Sequence, residues 1–218
     1  RAVANAHTLM KVFEVVVLFP FMGWIVKATY MVVPGKDATP EDEYEQLYIG
    51  GGSILSPTTA VLDGIREIEH MGKIAIGNLK KGMDALCSLN EEEIDAVYHK
   101  EKYIDFMNRK ITDYLVKVNE IELPIADARL IGGLFHVVND IERIGDHAEN
   151  FADSAKMRID DGVEFSDKAI KQLQDMTEKV IEILEYSLDM FSNRNQEHMQ
   201  EILNLEDEID DREKKLQR

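Results

Sequence analysis

The sequence predicts an all-α fold: a duplicated antiparallel three-helix bundle with a truncated second repeat, preceded by one transmembrane helix. Three observations carry this expectation. Apolar residues recur at three- and four-residue spacing through five successive stretches after residue 55. Nothing in that region alternates with the two-residue period of a strand. The segment EKYIDFMNRKI at Glu101–Ile111 returns as EDEIDDREKKL at Glu206–Leu216, an offset of 105 residues. The same offset places Met71 on Met176, Ile76 on Ile181, Leu79 on Leu184 and Val97 on Ile202. One unit therefore holds three helices (residues 55–161), and a second, incomplete unit holds two (residues 162–218). The period is too long for a solenoid.

The elements follow in order. Val12 to Val33 is a 22-residue run with Glu14 and Lys27 as its only charges, long enough to span a bilayer. Trp24 and Tyr30 suit its boundary, and Pro20 and Gly23 are tolerated in membrane helices. The alternative is a buried helix kinked at Pro20. Residues 1–34 are read as the end of a membrane domain and residues 35–54, with two prolines and the run Gly50–Gly52, as a polar linker. Ser56-Pro57 then opens a helix, Ser as N-cap and Pro at its first position. Its apolar face runs through Val61, Ile65, Ile68, Ile76, Leu79, Met83 and Leu86 to about Ser88. Asn90 with Glu93 has capping-box spacing and starts a second helix to about Val118. A third runs from Pro124 to about Ile159 and stops at Asp161-Gly162. Ser166 caps a fourth that reaches about Phe191, and a fifth begins near Gln196.

Forty-two acidic residues against 25 basic ones give a net charge of −17. That balance argues against nucleic-acid binding, which needs a basic face for phosphate contacts. The charge is uneven: residues 1–34 carry three basic residues and one acid, so the acidity belongs to the helical region. A single cysteine, Cys87, forms no intrachain disulfide. The chain starts at Arg1 and stops within a helix, and is read as a fragment.

The third helix holds the informative stretch. Leu134, Val138, Ile141, Gly145, Ala148 and Ala152 form its buried stripe, and Asn139, Glu142, Asp146, Glu149 and Asp153 run along one flank. Gly145 and Ala148 allow another helix to approach closely. In the second helix Glu101 lies inside the stripe Ile94, Val97, Ile104, Ile111 and Leu115, with Asp105 one turn on. In the fifth, Glu206 sits among Ile202, Leu205 and Ile209, with Asp210 one turn later. A buried unpaired carboxylate is costly or takes up a proton. Such acids meeting across a helix contact supply hard oxygen donors for iron, manganese, magnesium or calcium, and suit zinc less well without His or Cys. The bland alternative is pairing at i+4, open to Asp105 with Arg109 and to Asp210 with Lys214; Arg143 beside Glu142 offers another. His147 could be a ligand, but a lone His next to an acid is more often its hydrogen-bond partner. Glu67 and His70 form one Glu-x-x-His pair, whereas di-iron bundles need two. No nucleophile motif, phosphate-cradling loop or His-Glu-x-x-His occurs, so no catalytic residue is assigned.

The run NDIERIGDHAENFAD (Asn139–Asp153) resembles the signature of PhoU-like domains, Glu-Arg-Ile-Gly-Asp-His-Ala-x-Asn, which closes the third helix of each repeat. Glu101–Asp105, Pro124, Asp127, Arg129 and the fragmentary copy Glu206–Asp210 match the same pattern in order. RAVANAHTLMKVFEVVVLFPF followed by Pro34 is similar to the last membrane helix of bacterial sodium–phosphate symporters, in which a PhoU-like domain follows the membrane region. Leu55-Ser56-Pro57, Ala60, Glu67 and Met71 resemble the start of that appended domain.

The resemblance implies paired three-helix bundles that bind multinuclear metal clusters, often iron and alternatively manganese, magnesium or zinc, and that regulate phosphate uptake. Carried onto this chain, the implied ligands are Glu101, Asp105, Glu142, Asp146, Asn150, Glu206 and Asp210; Glu149 fills the signature's variable position. Glu206 and Asp210 lack a partner helix, so one cluster at most is expected to assemble. The main expectation is the C-terminal part of a sodium-dependent phosphate transporter in the inner membrane, its PhoU-like domain in the cytoplasm. Its partners would be phosphate and sodium, through membrane repeats this sequence lacks, together with the membrane and a second copy of the chain. The alternatives are a soluble PhoU-type adaptor docking on a transporter or kinase, and a carboxylate-bridged di-metal enzyme.

Overall fold

The structure, a computed structural model, describes Met10, residues 44–49 and residues 56–216. The expected membrane helix over Val12–Val33 and most of the linker lie outside the described residues. No described helix is long and apolar enough to cross a membrane. The chain divides into two compact units, Arg1–Glu43 and Tyr44–Arg218, so the break falls inside the predicted linker rather than at its end.

Among the described residues there are five helices and no strand. Helix α1 spans Pro57–Ser88, with Ser56 extended and Pro57 starting the helix, but the Ser56 side chain makes no cap bond. Leu89 ends it in the left-handed region at φ 55°. Helix α2, Glu91–Asn119, starts at Asn90, whose side chain accepts from the Glu92 N–H at 2.9 Å. The capping box expected from Glu93 does not close: its carboxylate accepts instead from Ser88 Oγ at 2.7 Å. Helix α3, Ile125–Asp161, stops at Gly162, where φ is +63°, a conformation that favours a residue without Cβ. Helix α4, Asp167–Asn193, is capped by the Ser166 hydroxyl, which accepts from the Ala169 N–H at 3.2 Å. Helix α5 spans Met199–Leu216.

α1, α2 and α3 pack on one another as an up–down–up bundle. Its core forms two apolar clusters along the axis. One centres on Ile68, Met71, Ile104, Met107, Leu115 and Leu134, the other on Leu79, Met83, Val97, Ala148 and Ala152. Fully burying one large side chain contributes about 1.5–3 kcal/mol. The predicted small-residue contacts are present. A Cβ on Gly145 would lie 3.1 Å from Ile104 Cγ2, and one on Gly82 would lie 2.8 Å from the Ala148 carbonyl oxygen. α3 therefore lies close to both α1 and α2, and no side chain larger than hydrogen fits at Gly82 without a shift.

α4 packs on α1, where Leu188 fills the notch left by Gly72. Among the described residues α5 packs closely on α4, to which Lys179–Glu208 and Arg212–Asp175 (3.9 Å) also tie it. This thin packing corrects one expectation. Ile202, Leu205 and Ile209 are only half-buried and Glu206 is exposed, because one neighbouring helix covers too narrow a stripe to enclose it.

Candidate metal centre

The acids meet because α2 and α3 run antiparallel in a fixed register. The Tyr98 hydroxyl on α2 donates to Asp153 on α3 at 2.7 Å, and two turns along, Ile104 lies against Gly145. Between these contacts the turn bearing Glu101 faces the turns bearing Glu149 and Asp146. One carboxylate oxygen from each of Glu101, Asp146 and Glu149 lies within 4.8 Å of the other two. Glu101 is only 9% exposed; Glu149 is half-buried and Asp146 reaches solvent.

Burial pushes the Glu101 carboxyl up to about 7, helped by the charges of Asp105, Glu149, Asp146 and Glu142. All four of those charges are carboxylates. Glu142 is also raised, first by burial and then by Asp146 and Asp105, with Arg143 opposing. Glu149 is raised by burial, then by Asp153, Asp146 and Asp105, with Lys102 opposing. Of the basic side chains nearby, Lys102 acts on Glu149 and two others form ion pairs. Arg109 pairs with Asp105 at 3.6 Å and Arg143 with Asp140 at 4.0 Å. Like charges held this close favour either a proton or a cation between them.

The predicted ligands separate into three groups. Glu101 and Asp146 come together as expected, and Glu149 completes the group of three. Glu142 and Asp105 flank it, close enough to act on one another electrostatically, and Asp105 also makes the i+4 pair with Arg109. Asn150 lies elsewhere: with His147 it lines an apolar groove formed by Leu79 and Met83 of α1, Phe151 of α3, and Leu173 and Met176 of α4. Glu206 and Asp210 sit on α5, and Asp210 pairs with Lys214 at 4.0 Å. The lone Glu67–His70 pair is internal, Nδ1 to Oε1 at 3.2 Å.

Two residues escaped the sequence reading. Tyr98 sits one turn before Glu101, a position that could have been found by asking which α2 residue falls level with Asp153. Arg158 is buried (7% exposed), donating through Nη1 to the Leu86 carbonyl and through Nε to that of Val163 at 3.1 Å. Its guanidinium lies 3.9 Å from the centre of the Phe165 ring. Arg158 satisfies one carbonyl at the α1 C-terminus and one just past the end of α3, a role with no local sequence mark.

The donor set fits a cation. It offers only hard oxygen atoms, places a desolvated carboxylate at its centre, and contains no His or Cys, which suits magnesium, manganese or iron better than zinc.

The PhoU domain family matches residues 68–155 and 173–218. The chain is 30% identical over 146 residues to the phosphate-specific transport system accessory protein PhoU homolog of Clostridium acetobutylicum, covering 66% of this chain and 65% of that one. It is 26% identical over 153 residues to the homolog of Aquifex aeolicus, covering 70% and 68% respectively. Homolog 1 of Thermotoga maritima is 25% identical over 153 residues, covering 70% and 65%. The chain thus spans about two thirds of the length of these relatives. No solved structure matches it. The matched residues take in α2, the acidic flank of α3 and α5, more than half of the sequence, and the chain belongs to the PhoU domain family.

Proposed function

We propose that this chain is a regulator of phosphate transport that acts by docking its helical faces on a transporter or on a signalling partner of one. Its relatives are accessory proteins of phosphate-specific transport systems, and the shared residues include both acid-bearing helices. We further propose that a metal cation bridges α2 and α3, held by Glu101, Asp146 and Glu149, with Asp105 and Glu142 beside them. The observation that carries this is the burial of Glu101 among four carboxylates, of which Asp105 is paired with Arg109. When bound, the cation would neutralise that cluster and fix the spacing of the two helices. The chain's own residues do the rest: Tyr98 holds the register, and Gly145 lets α2 come close enough for carboxylates from both helices to converge.

Phosphate uptake tests the regulatory reading. Cells would carry either the wild-type protein or the Glu101→Gln/Asp146→Asn double variant at equal abundance. The reading expects the variant to alter the response of uptake to external phosphate as deletion of the protein does; an unaltered response contradicts it. The apolar run Val12–Val33 favours a second version, in which the regulator is carried on a membrane-embedded, sodium-dependent phosphate transporter at the cytoplasmic face. Dependence of the full-length protein on detergent supports that version, and release in soluble form without detergent argues for the free adaptor.

A further inference from the structure

The segment before α1 is fastened to the bundle in an unusual way. Glu67 on α1 is 0% exposed, yet its carboxylate meets no lysine or arginine among the described residues. It accepts instead from the backbone N–H groups of Tyr48 at 2.6 Å and Leu47 at 3.4 Å, and contacts His70 Nδ1 at 3.2 Å. The side chains of Leu47 and Tyr48 are themselves about half exposed, at 54% and 45%. At this point the chain is held by its amides, not by side-chain burial.

Tyr44 supplies the other attachment. Its ring stacks on Tyr103 at 4.8 Å, tilts against Phe106 at 5.3 Å and meets His99 edge-on at 6.1 Å. The Tyr103 hydroxyl donates to the Glu45 carbonyl at 2.6 Å. Tyr103 lies between Glu101 and Asp105, on the same two turns of α2 that carry the acids. The segment is tied by one carboxylate, one hydroxyl, one aromatic ring and the partly buried Ile49, leaves Glu45, Leu47 and Tyr48 exposed, and can open below the threshold for global unfolding. Once open, Glu67 is free to take up water, so release leaves no stranded charge.

We propose that Tyr44–Ile49 is a clasp that opens and closes on the bundle as a unit of its own. Glu67 is the latch, and Tyr103 links the closed state to the acid-bearing turns of α2. This inference does not depend on what the acids bind.

Native-state hydrogen exchange of the full chain tests it. In the wild type the Leu47 and Tyr48 amides should be protected, yet exchange faster than core amides such as those of Leu134 and Val138. Glu67→Gln removes the charge from the latch and should speed exchange at Leu47 and Tyr48 about tenfold. It should also raise exchange across residues 101–106 of α2 and leave residues 138–142 of α3 unchanged. Tyr103→Phe deletes a single hydroxyl, leaves the fold intact, and should speed exchange at Leu47 and Tyr48 several-fold. The proposal is overturned if Leu47 and Tyr48 exchange only in step with the core amides, or if Tyr103→Phe leaves them unaltered. An unchanged α2 in either variant removes the link.

Discussion

Tyr98 and Asp153 lie 55 residues apart in sequence and 2.7 Å apart in space, and their hydrogen bond sets how the acids of α2 and α3 face each other. Shifted by one residue, Glu101 would rotate about 100° away from Asp146 and Glu149. Tyr98→Phe should therefore leave helix content unchanged and lower stability by about 1 kcal/mol. It should weaken divalent-cation binding several-fold. Circular dichroism, urea denaturation and a Mn2+ titration check the three parts.

Stability should depend on pH in a direction opposite to that of an acid held in a salt bridge. Glu101 is raised from its ordinary 4.5 to about 7, and Glu142 and Glu149 move the same way. The folded, cation-free protein keeps protons that the unfolded chain has released. The contribution is thus complete below about pH 4.5 and is lost as pH rises through about 7. For Glu101 it amounts to at most about 3 kcal/mol. In chelator, the difference in urea midpoint between wild type and Glu101→Gln should widen from pH 5 to pH 8, with the variant the more stable at pH 8. Added Mn2+ should reverse that order for the wild type.

Two glycines of α1 should respond to alanine with opposite signs. A Cβ on Gly82 would meet the Ala148 carbonyl oxygen at 2.8 Å, a backbone atom that cannot swing aside, whereas Gly77 has nothing within 4 Å. Gly82→Ala should destabilise by about 1–3 kcal/mol through a forced separation of α1 and α3. Gly77→Ala should stabilise by about 0.5–1 kcal/mol through helix propensity. Thermal melts of the two variants check both signs.

How much of this was legible in the sequence depended on whether the deciding contact was local. The five helices and the Gly162 stop were written in periodicity and turn residues, and emerge within a few residues of their expected ends. The capping box was not, since Glu93 found Ser88 Oγ closer to hand than the Asn90 amide. Glu101 and Asp146 were found because one sits inside an apolar stripe and the other along the flank of one. Asn150 looked equivalent by motif, but it lies on the α4 side of α3, and a one-dimensional spacing does not say which neighbour a helix face meets. Glu206 repeated Glu101 in sequence without repeating its environment, because enclosure comes from a third helix and not from the stripe itself. Arg158 and Glu67 satisfy backbone groups 72 and about 20 residues away, distances at which pattern reading has no purchase.

Arg158 carries its own test. With a guanidinium buried between the ends of α1 and α3 and no acid as partner among the described residues, Arg158→Met keeps most of the volume but strands the Leu86 carbonyl. A loss of about 2–4 kcal/mol is expected. Arg158→Lys should recover less than half of it, since an ammonium cannot donate along two diverging directions and stack on Phe165 at once. Urea denaturation of the three proteins measures both.

The cation shared by α2 and α3 is the claim on which the functional reading turns, and elemental analysis of the purified full chain tests it most directly. Wild type, Glu101→Gln and Asp146→Asn would be equilibrated with Mn2+ and passed through a desalting column at pH 8. The account predicts bound metal in the wild type and a loss of most of it in each variant, with folding intact by circular dichroism. Equal metal in all three, or none in the wild type, would contradict it.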